Sequence, residues 1–270
     1  MKQFFDKRQF NRKVIVSGNV IECYEYERPV ISGKSVKRIG RANAQFTAET
    51  TKEENRKKTA QRAKTKVKRT ANANPQLNKF LTLTFAENVT DISYAHKELD
   101  RFFKRLKYHY KDFQYISVVE FQKRGAVHFH LLCNLPYVEV DALAKIWKNG
   151  FVKINKIDSV DNVGAYITKY MTKENVDERL KGKKCYTMSK GLNEPKEYTK
   201  EDEVGEVLSS IEQVKRVYTS EFETEHYGVV RYTQIVCLEP PRYSKKRGRL
   251  FFGKKPRLMP CPDTLRCPAF

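Results

Sequence analysis

The clearest hydrophobic pattern in the chain begins at residue 80, where "FLTLTF" (80–85) alternates apolar residues with threonine. Such alternation predicts a β-strand with one buried face. In "DISYAHKELDRFFKRLKYHY" (91–110), apolar residues instead recur every three or four positions, which predicts an amphipathic helix. The residues predicted to form its buried face are Ile92, Ala95, Leu99, Phe102, Phe103 and Leu106.

The next elements follow at short intervals. "FQYISVVEFQ" (113–122) and "AVHFHLLCNL" (126–135) are apolar runs on either side of "KRG", which predicts a β-hairpin. A short helix is predicted over 140–149 and a strand over 150–157. The order β-α-β-β-α-β predicts the α+β fold class with a ferredoxin-like core, an antiparallel sheet that has helices on one face and is open to a ligand on the other.

The segments around this core divide the chain further. "DSVDNVGAYITKYMTKENVDERL" (158–180) predicts an added helix with Asp158 or Ser159 as its N-cap. Residues 1–40 alternate around Gly and Pro, which predicts strands, whereas after about residue 185 the pattern weakens except for a strand-like run over 227–239. The predicted division is an N-terminal β-rich segment with a basic arm (1–71), a central domain (72–185) and a C-terminal extension with a basic tail (186–270).

Charge changes the picture more than overall composition does. The 270-residue chain carries 53 Lys and Arg against 32 Asp and Glu, a formal net charge of +21, which favours a polyanionic partner such as nucleic acid. The segment 52–70 alone holds nine basic residues against two glutamates, as either a solvated helix or a flexible arm. Its predicted DNA-binding residues are Arg56, Lys57, Lys58, Arg62, Lys64, Lys66, Lys68 and Arg69.

Cysteine usage and hydropathy bear on the compartment. The six cysteines (23, 133, 185, 237, 261 and 267) form no CxxC pair, so we expect reduced thiols and a cytoplasmic protein. The sequence contains neither a signal-peptide pattern nor a long apolar run, and we therefore expect no membrane association.

A candidate metal site lies in the predicted hairpin. In "HFH", His128 and His130 are two residues apart on a strand, so both imidazoles point to the same side. If the turn is the three-residue "KRG", Glu120 lies opposite His128 and its carboxylate lies beside the imidazoles. Two nitrogens and one oxygen would then surround a divalent ion, although paired histidines on a strand are more often structural.

A candidate nucleophile lies in "YITKYMTK" (166–173), where the unit Tyr-x-x-Lys occurs twice. Tyr166 and Tyr170 are four residues apart and would share one helix face. A phenol becomes a good nucleophile only when positive charge favours its ionised form, and Lys169 and Lys173 would supply that charge. The alternative is that both tyrosines flank a buried apolar stripe and are not catalytic.

These motifs, in this order, resemble those of the HUH endonucleases, and more narrowly the rolling-circle replication initiators of small plasmids and bacteriophages. "HFH" matches the metal-ligand histidines, Tyr166 and Tyr170 match the nucleophile positions, and "FLTLTF" matches a first, mainly structural motif. The resemblance covers residues 78 to 185 and implies that the central domain is the endonuclease.

The resemblance also implies a reaction and its partners. A tyrosine attacks a phosphodiester of origin DNA, at a single-stranded or hairpin nick site, leaving a 5′-phosphotyrosine and a free 3′-OH. The reverse transesterification rejoins the ends. The expected cofactor is Mg²⁺ or Mn²⁺, with no small-molecule cofactor. Because the chain has no G-x-x-x-x-G-K-[ST] motif, a host helicase is expected to unwind the DNA and a host polymerase to extend it.

Two alternatives remain open at this point. A non-catalytic nucleic-acid-binding module with a ferredoxin-like sheet would be equally basic, but "HFHLL" lacks the aromatic run that RNA-recognition modules carry on a central strand. A related HUH relaxase or single-strand transposase would share the chemistry.

Overall fold

A computed structural model describes residues 8–32, 49–157, 160–171 and 178–242. Within these ranges the protein is mixed α/β, with five α-helices and two five-stranded antiparallel sheets, which agrees with the predicted α+β class. In chain order the elements are β1 (Arg8–Ser17), β2 (Val20–Ser32), α1 (Glu49–Asn72), β3 (Lys79–Phe85), α2 (Ile92–His109), β4 (Tyr115–Phe121), β5 (Val127–Cys133), α3 (Val140–Trp147), β6 (Gly150–Lys156), α4 (Val163–Thr168), β7 (Tyr186–Met188), β8 (Lys196–Tyr198), α5 (Glu201–Ser209), β9 (Val214–Thr224) and β10 (Gly228–Cys237).

The central sheet has the strand order β6-β3-β5-β4-β7. Helices α2 and α3 cover one of its faces, where Phe129 and Trp147 are fully buried among side chains of β3, β4 and β5. All six apolar residues predicted for the buried face of α2 are buried. The Asp91 side chain caps this helix by accepting a hydrogen bond from the backbone N–H of Ser93.

The second face of the central sheet is only partly open, which corrects the prediction of a free face. Val67 of α1 and Ile167 of α4 pack over Phe80 and Leu132 and form a second apolar core. The basic segment is therefore part of a 24-residue helix whose C-terminal half is buried, and not a flexible arm. What stays accessible is the end of the face that carries Glu120.

The prediction of one helix over 158–180 is wrong in its bounds. Helix α4 begins at Val163, with the Asn162 side chain accepting a hydrogen bond from the N–H of Ala165, and it gives way to a 3₁₀ turn over Lys169–Met171. Both proposed caps, Asp158 and Ser159, lie outside the described residues. Asn162 competes successfully as the cap because its side chain is also held by Asn72 of α1.

The terminal sheet joins the two ends of the chain, in the order β8-β1-β2-β10-β9. Helix α5 packs Val204 and Val207 against Val14 and Ile21 on one side of it. The weak sequence pattern after residue 185 thus conceals a helix and four strands. Their partners are distant in sequence, so local periodicity carries little information about them.

Two findings concern the whole of the described chain. None of its described helices is both long and apolar enough to cross a membrane. Four cysteines in the described ranges (Cys23, Cys133, Cys185 and Cys237) are free thiols, and Cys261 and Cys267 lie outside those ranges.

Candidate functional site

The β4–β5 hairpin sets the geometry of the candidate metal centre. Its register pairs Glu120 with His128 and Val118 with His130. The backbone N–H of Gln122 donates to the carbonyl of Ala126 at 2.9 Å, closing the three-residue turn. The register expected from the sequence is therefore confirmed.

Glu120, His128 and His130 converge on one point. One donor atom from each lies within 4.8 Å of the other two, and Glu120 Oε2 is 2.5 Å from His130 Nε2. Both imidazoles are buried, with 9% and 5% of their surface exposed. Nε2 of His128 is a buried nitrogen with no hydrogen-bond partner among the described residues, which is costly unless a ligand completes it.

The protonation states of this cluster suit a cation. Burial, reinforced by the neighbouring His130, lowers the pKa of His128 and favours the neutral imidazole that ligates metals. The hydrogen bond from His130 lowers the pKa of Glu120 despite its partial burial, so the carboxylate is ionised at neutral pH. Two nitrogens and one carboxylate oxygen fit a divalent ion that accepts both atom types.

Thr82 of β3 also contacts the cluster, and sequence reasoning missed it. Its Oγ1 lies 3.2 Å from Nδ1 of His130. A hydroxyl in this position orients the ring and fixes which nitrogen faces a metal. The signal was present in "FLTLTF" as a polar residue on the ligand side of a strand, but locating its partner requires the β3–β5 register.

The two tyrosines lie side by side next to the metal centre. Their ring centroids are 6.0 Å apart, and both rings pack on Phe80, at 5.0 Å for Tyr166 and 5.3 Å for Tyr170. Tyr170 also stacks on the ring of His130 at 3.9 Å. The tyrosines thus flank the apolar core and contact the candidate metal ligands at the same time.

The electrostatic setting of the tyrosines differs from the sequence-based expectation. Burial and the hydrogen bond with Tyr166 raise the pKa of Tyr170 to about 12, so these side chains alone keep its phenol neutral. Lys169 places Nζ 5.9 Å from the centroid of the Tyr166 ring. Lys173 lies outside the described residues.

Helix α4 is held in place by α1. Gly164 comes so close to α1 that an added Cβ would lie 2.0 Å from the carbonyl oxygen of Lys68. Its backbone N–H donates to Asn72 Oδ1 at 2.7 Å, and Asn72 Nδ2 donates to Asn162 at 3.0 Å. The position of the tyrosines therefore depends on contacts far from them in sequence.

The eight predicted DNA-binding residues divide into two groups. Lys68 and Arg69 point to the buried Glu22, at 3.8 Å and 2.5 Å, and are engaged within the fold. The other six lie on exposed or partly exposed positions of α1, where Lys57 pairs with Glu53 and Lys58 with Glu54. The members of this second group are Arg56, Lys57, Lys58, Arg62, Lys64 and Lys66.

Comparison with known proteins gives a family match for the central part of the chain. Residues 78–175, which include β3, the histidine hairpin and both tyrosines, match the family model of replication-associated protein ORF2. This match confirms the resemblance to rolling-circle replication initiators over that segment. No curated protein and no solved structure matches the chain.

Proposed function

We propose that this chain is a replication initiator that cleaves one strand of origin DNA by tyrosine attack and later rejoins the ends. One observation carries the proposal: Tyr170 stacks on His130, a member of a three-ligand cluster, inside the segment that matches the initiator family. The arrangement puts a phenol next to a site that suits a cation, as metal-assisted phosphoryl transfer requires.

The chemistry is a transesterification. The phenol loses its proton, its oxygen bonds to phosphorus, and the bond from phosphorus to the 3′ oxygen breaks. The products are a 5′-phosphotyrosine and a 3′-OH, and attack by that hydroxyl reverses the step. No high-energy cofactor is needed, because one phosphodiester replaces another.

Each side chain has a separate part in this proposal. Glu120, His128 and His130 would hold Mg²⁺ or Mn²⁺, which when bound polarises a phosphate oxygen and offsets its charge. Phe80 fixes the two tyrosine rings in place. Lys169, together with Lys173, is proposed to lie near the phosphate and balance its charge.

Both tyrosines are proposed nucleophiles, used one at a time. The repeated Tyr-x-x-Lys unit alone favours Tyr166 as the indispensable one. The ring contact with His130 instead places Tyr170 nearer to the candidate ligands, so we assign the first cut to Tyr170 and the second to Tyr166. Their hydrogen-bonded proximity suits such an alternation.

The test is to trap covalent adducts on a labelled single-stranded origin oligonucleotide. Tyr166→Phe and Tyr170→Phe should each still form an adduct, more slowly for Tyr170→Phe, and the double variant should form none. Tyr108→Phe, an exposed tyrosine on α2, serves as the control and should behave as wild type. An adduct from the double variant would remove α4 from the chemistry.

Metal dependence is tested separately. His128→Ala should abolish nicking and leave DNA binding nearly unchanged, because binding rests on basic surfaces elsewhere. His109→Ala, an exposed histidine at the end of α2, is the matched control. Nicking by wild type that persists in EDTA would contradict the metal role, and DNA binding without any nicking would favour the non-catalytic binding module.

Several wider features belong to the same proposal. The order β6-β3-β5-β4, with α2 and α3 as the crossovers, supports a ferredoxin-like core. We propose residues 72–185 as the endonuclease domain, flanked by 1–71 and 186–270. We also propose origin DNA as substrate, a host helicase and polymerase as partners, and the cytoplasm as the compartment.

A further inference from the structure

The terminal sheet has an aromatic face that the proposed chemistry does not use. Tyr24 lies at its middle, with ring centroids 6.3 Å from Tyr26 and 5.1 Å from Tyr232. Tyr218 of the edge strand β9 extends the row, 6.4 Å from Tyr232. Phe222, four residues further along β9, lies on the same side of the sheet and is 46% exposed.

Charge distinguishes this aromatic face from the opposite one. Lys13 places Nζ 5.3 Å from the centroid of the Tyr24 ring, and Arg216 lies two residues from Tyr218 on the same side of β9. Glu22 is on this face too, but it is buried and bound by Arg69 and Tyr232. An exposed carboxylate, Glu197 of β8, lies at the far edge of the sheet.

The opposite face is richer in acidic groups. Residues that alternate with the aromatic ones include Glu25 on β2, and Glu221 and Glu223 on β9. Helix α5 packs on that side. A polyanion is therefore better accommodated on the aromatic face.

A groove connects the aromatic face to the candidate nucleophiles. It has a volume of about 320 Å³ and lies between α4 and strands β9 and β10, lined by Tyr166, Lys169, Arg216 and Gln234. Asp161, also in its lining, is neutralised by Lys215 at 2.6 Å. Arg216 thus belongs to both the groove and the aromatic face.

We propose that the aromatic face binds single-stranded DNA by base stacking and that the groove leads the strand to Tyr166. The inference rests on the proposed function for the identity of its ligand. Exposed rings in a row, with basic side chains beside them, are the means by which proteins hold single strands without reading sequence. A duplex, whose bases are already stacked on one another, has no faces to offer these rings.

The experiment measures binding of the full chain to a labelled single-stranded oligonucleotide by fluorescence anisotropy, in EDTA so that no cleavage occurs. Tyr218→Thr should weaken binding roughly five- to a hundredfold, whereas Tyr218→Phe should retain it. The control is Val217→Thr, because Val217 is its neighbour on β9, is similarly exposed (51% against 55%) and points to the opposite face. Arg216→Gln should reduce the slope of log K against log salt by about 0.7.

Three results would overturn the proposal. They are equal affinities for Tyr218→Thr and wild type, equal losses for Tyr218→Thr and Val217→Thr, or a change in sedimentation mass without a change in DNA affinity. The last result would identify a second copy of the chain as the occupant. If Tyr218→Thr loses binding but wild type never nicks DNA, the stacking surface stands and the nuclease proposal fails. If wild type nicks DNA and Tyr218→Thr binds it normally, the nuclease proposal stands and the stacking surface fails.

Discussion

Thr82 is the residue through which β3 reaches the metal centre. A proton on His130 Nδ1, donated to the Thr82 hydroxyl 3.2 Å away, leaves the Nε2 lone pair free to bind a cation. The imidazole is then held in one tautomer and one orientation before any metal arrives. Thr82 is thus a positioning residue, which acts through His130.

Replacing this hydroxyl should weaken metal binding without removing a ligand. We expect Thr82→Val to raise the Kd for Mn²⁺, measured by isothermal titration calorimetry, by about 10- to 100-fold. Thr82→Ser should restore it. Thr84→Val, on the same side of the same strand but without an imidazole contact in the described structure, is the control. Equal Kd values for Thr82→Val and wild type would show that the hydroxyl does not orient the ring.

At the scale of elements, the contact between α1 and α4 determines where the tyrosines lie. The two helices approach so closely at Gly164 that only a hydrogen fits against the carbonyl of Lys68. The buried Asn72 then completes the backbone hydrogen bonding at the start of α4. A change at this contact should act on stability and on the tyrosines together.

Gly164→Ala is expected to destabilise the protein by about 1–3 kcal/mol, because the added methyl group meets backbone that has no room to move. The control is Gly205→Ala in α5, where nothing lies within 4 Å of the added Cβ. That substitution should be neutral or stabilising by about 0.4–1 kcal/mol, since alanine restricts the unfolded chain. Urea denaturation followed by circular dichroism measures both, and equal stabilities would contradict the close approach.

The elements that could be predicted from sequence are those whose partners are local. Helix α2 has a complete apolar face and its own Asp91 cap, and the register of Glu120 with His128 follows from the length of one turn. Helix α4 could not be bounded, because its start depends on Asn72, 90 residues from Asn162. Strand β9, with mostly exposed side chains, has too little hydrophobic pattern to be recognised at all.

At the scale of the whole molecule, the net charge of +21 implies a binding surface larger than the metal centre. Helix α1 displays basic residues along its N-terminal two thirds and buries Val67 and Ala71 near its end. Deletion of residues 52–70 would therefore disrupt the core and could not test DNA binding. Substitutions confined to the exposed side chains can.

Arg62→Gln and Lys66→Gln, combined, should reduce the slope of log K against log salt for duplex DNA by roughly 0.9 for each phosphate that the protein no longer neutralises. Lys57→Gln is the comparison, because Lys57 is already paired with Glu53 at 2.7 Å and a smaller change is expected. Binding is measured by anisotropy over a range of salt concentrations. An unchanged slope in the double variant would place the duplex contacts elsewhere on the protein.

The pairing of β2 with β10 has a consequence for how the protein is made. Glu22 and Tyr232, which share a hydrogen bond across these strands, are 210 residues apart. While the ribosome is still synthesising the central sheet, β2 has one strand edge without its partner, and Arg69 of α1 lacks part of the network that orders it. The helix that carries the tyrosines rests on α1, so its final placement must wait until β10 has emerged. A prematurely terminated product would contain every residue of the proposed nuclease and still lack the support that positions them.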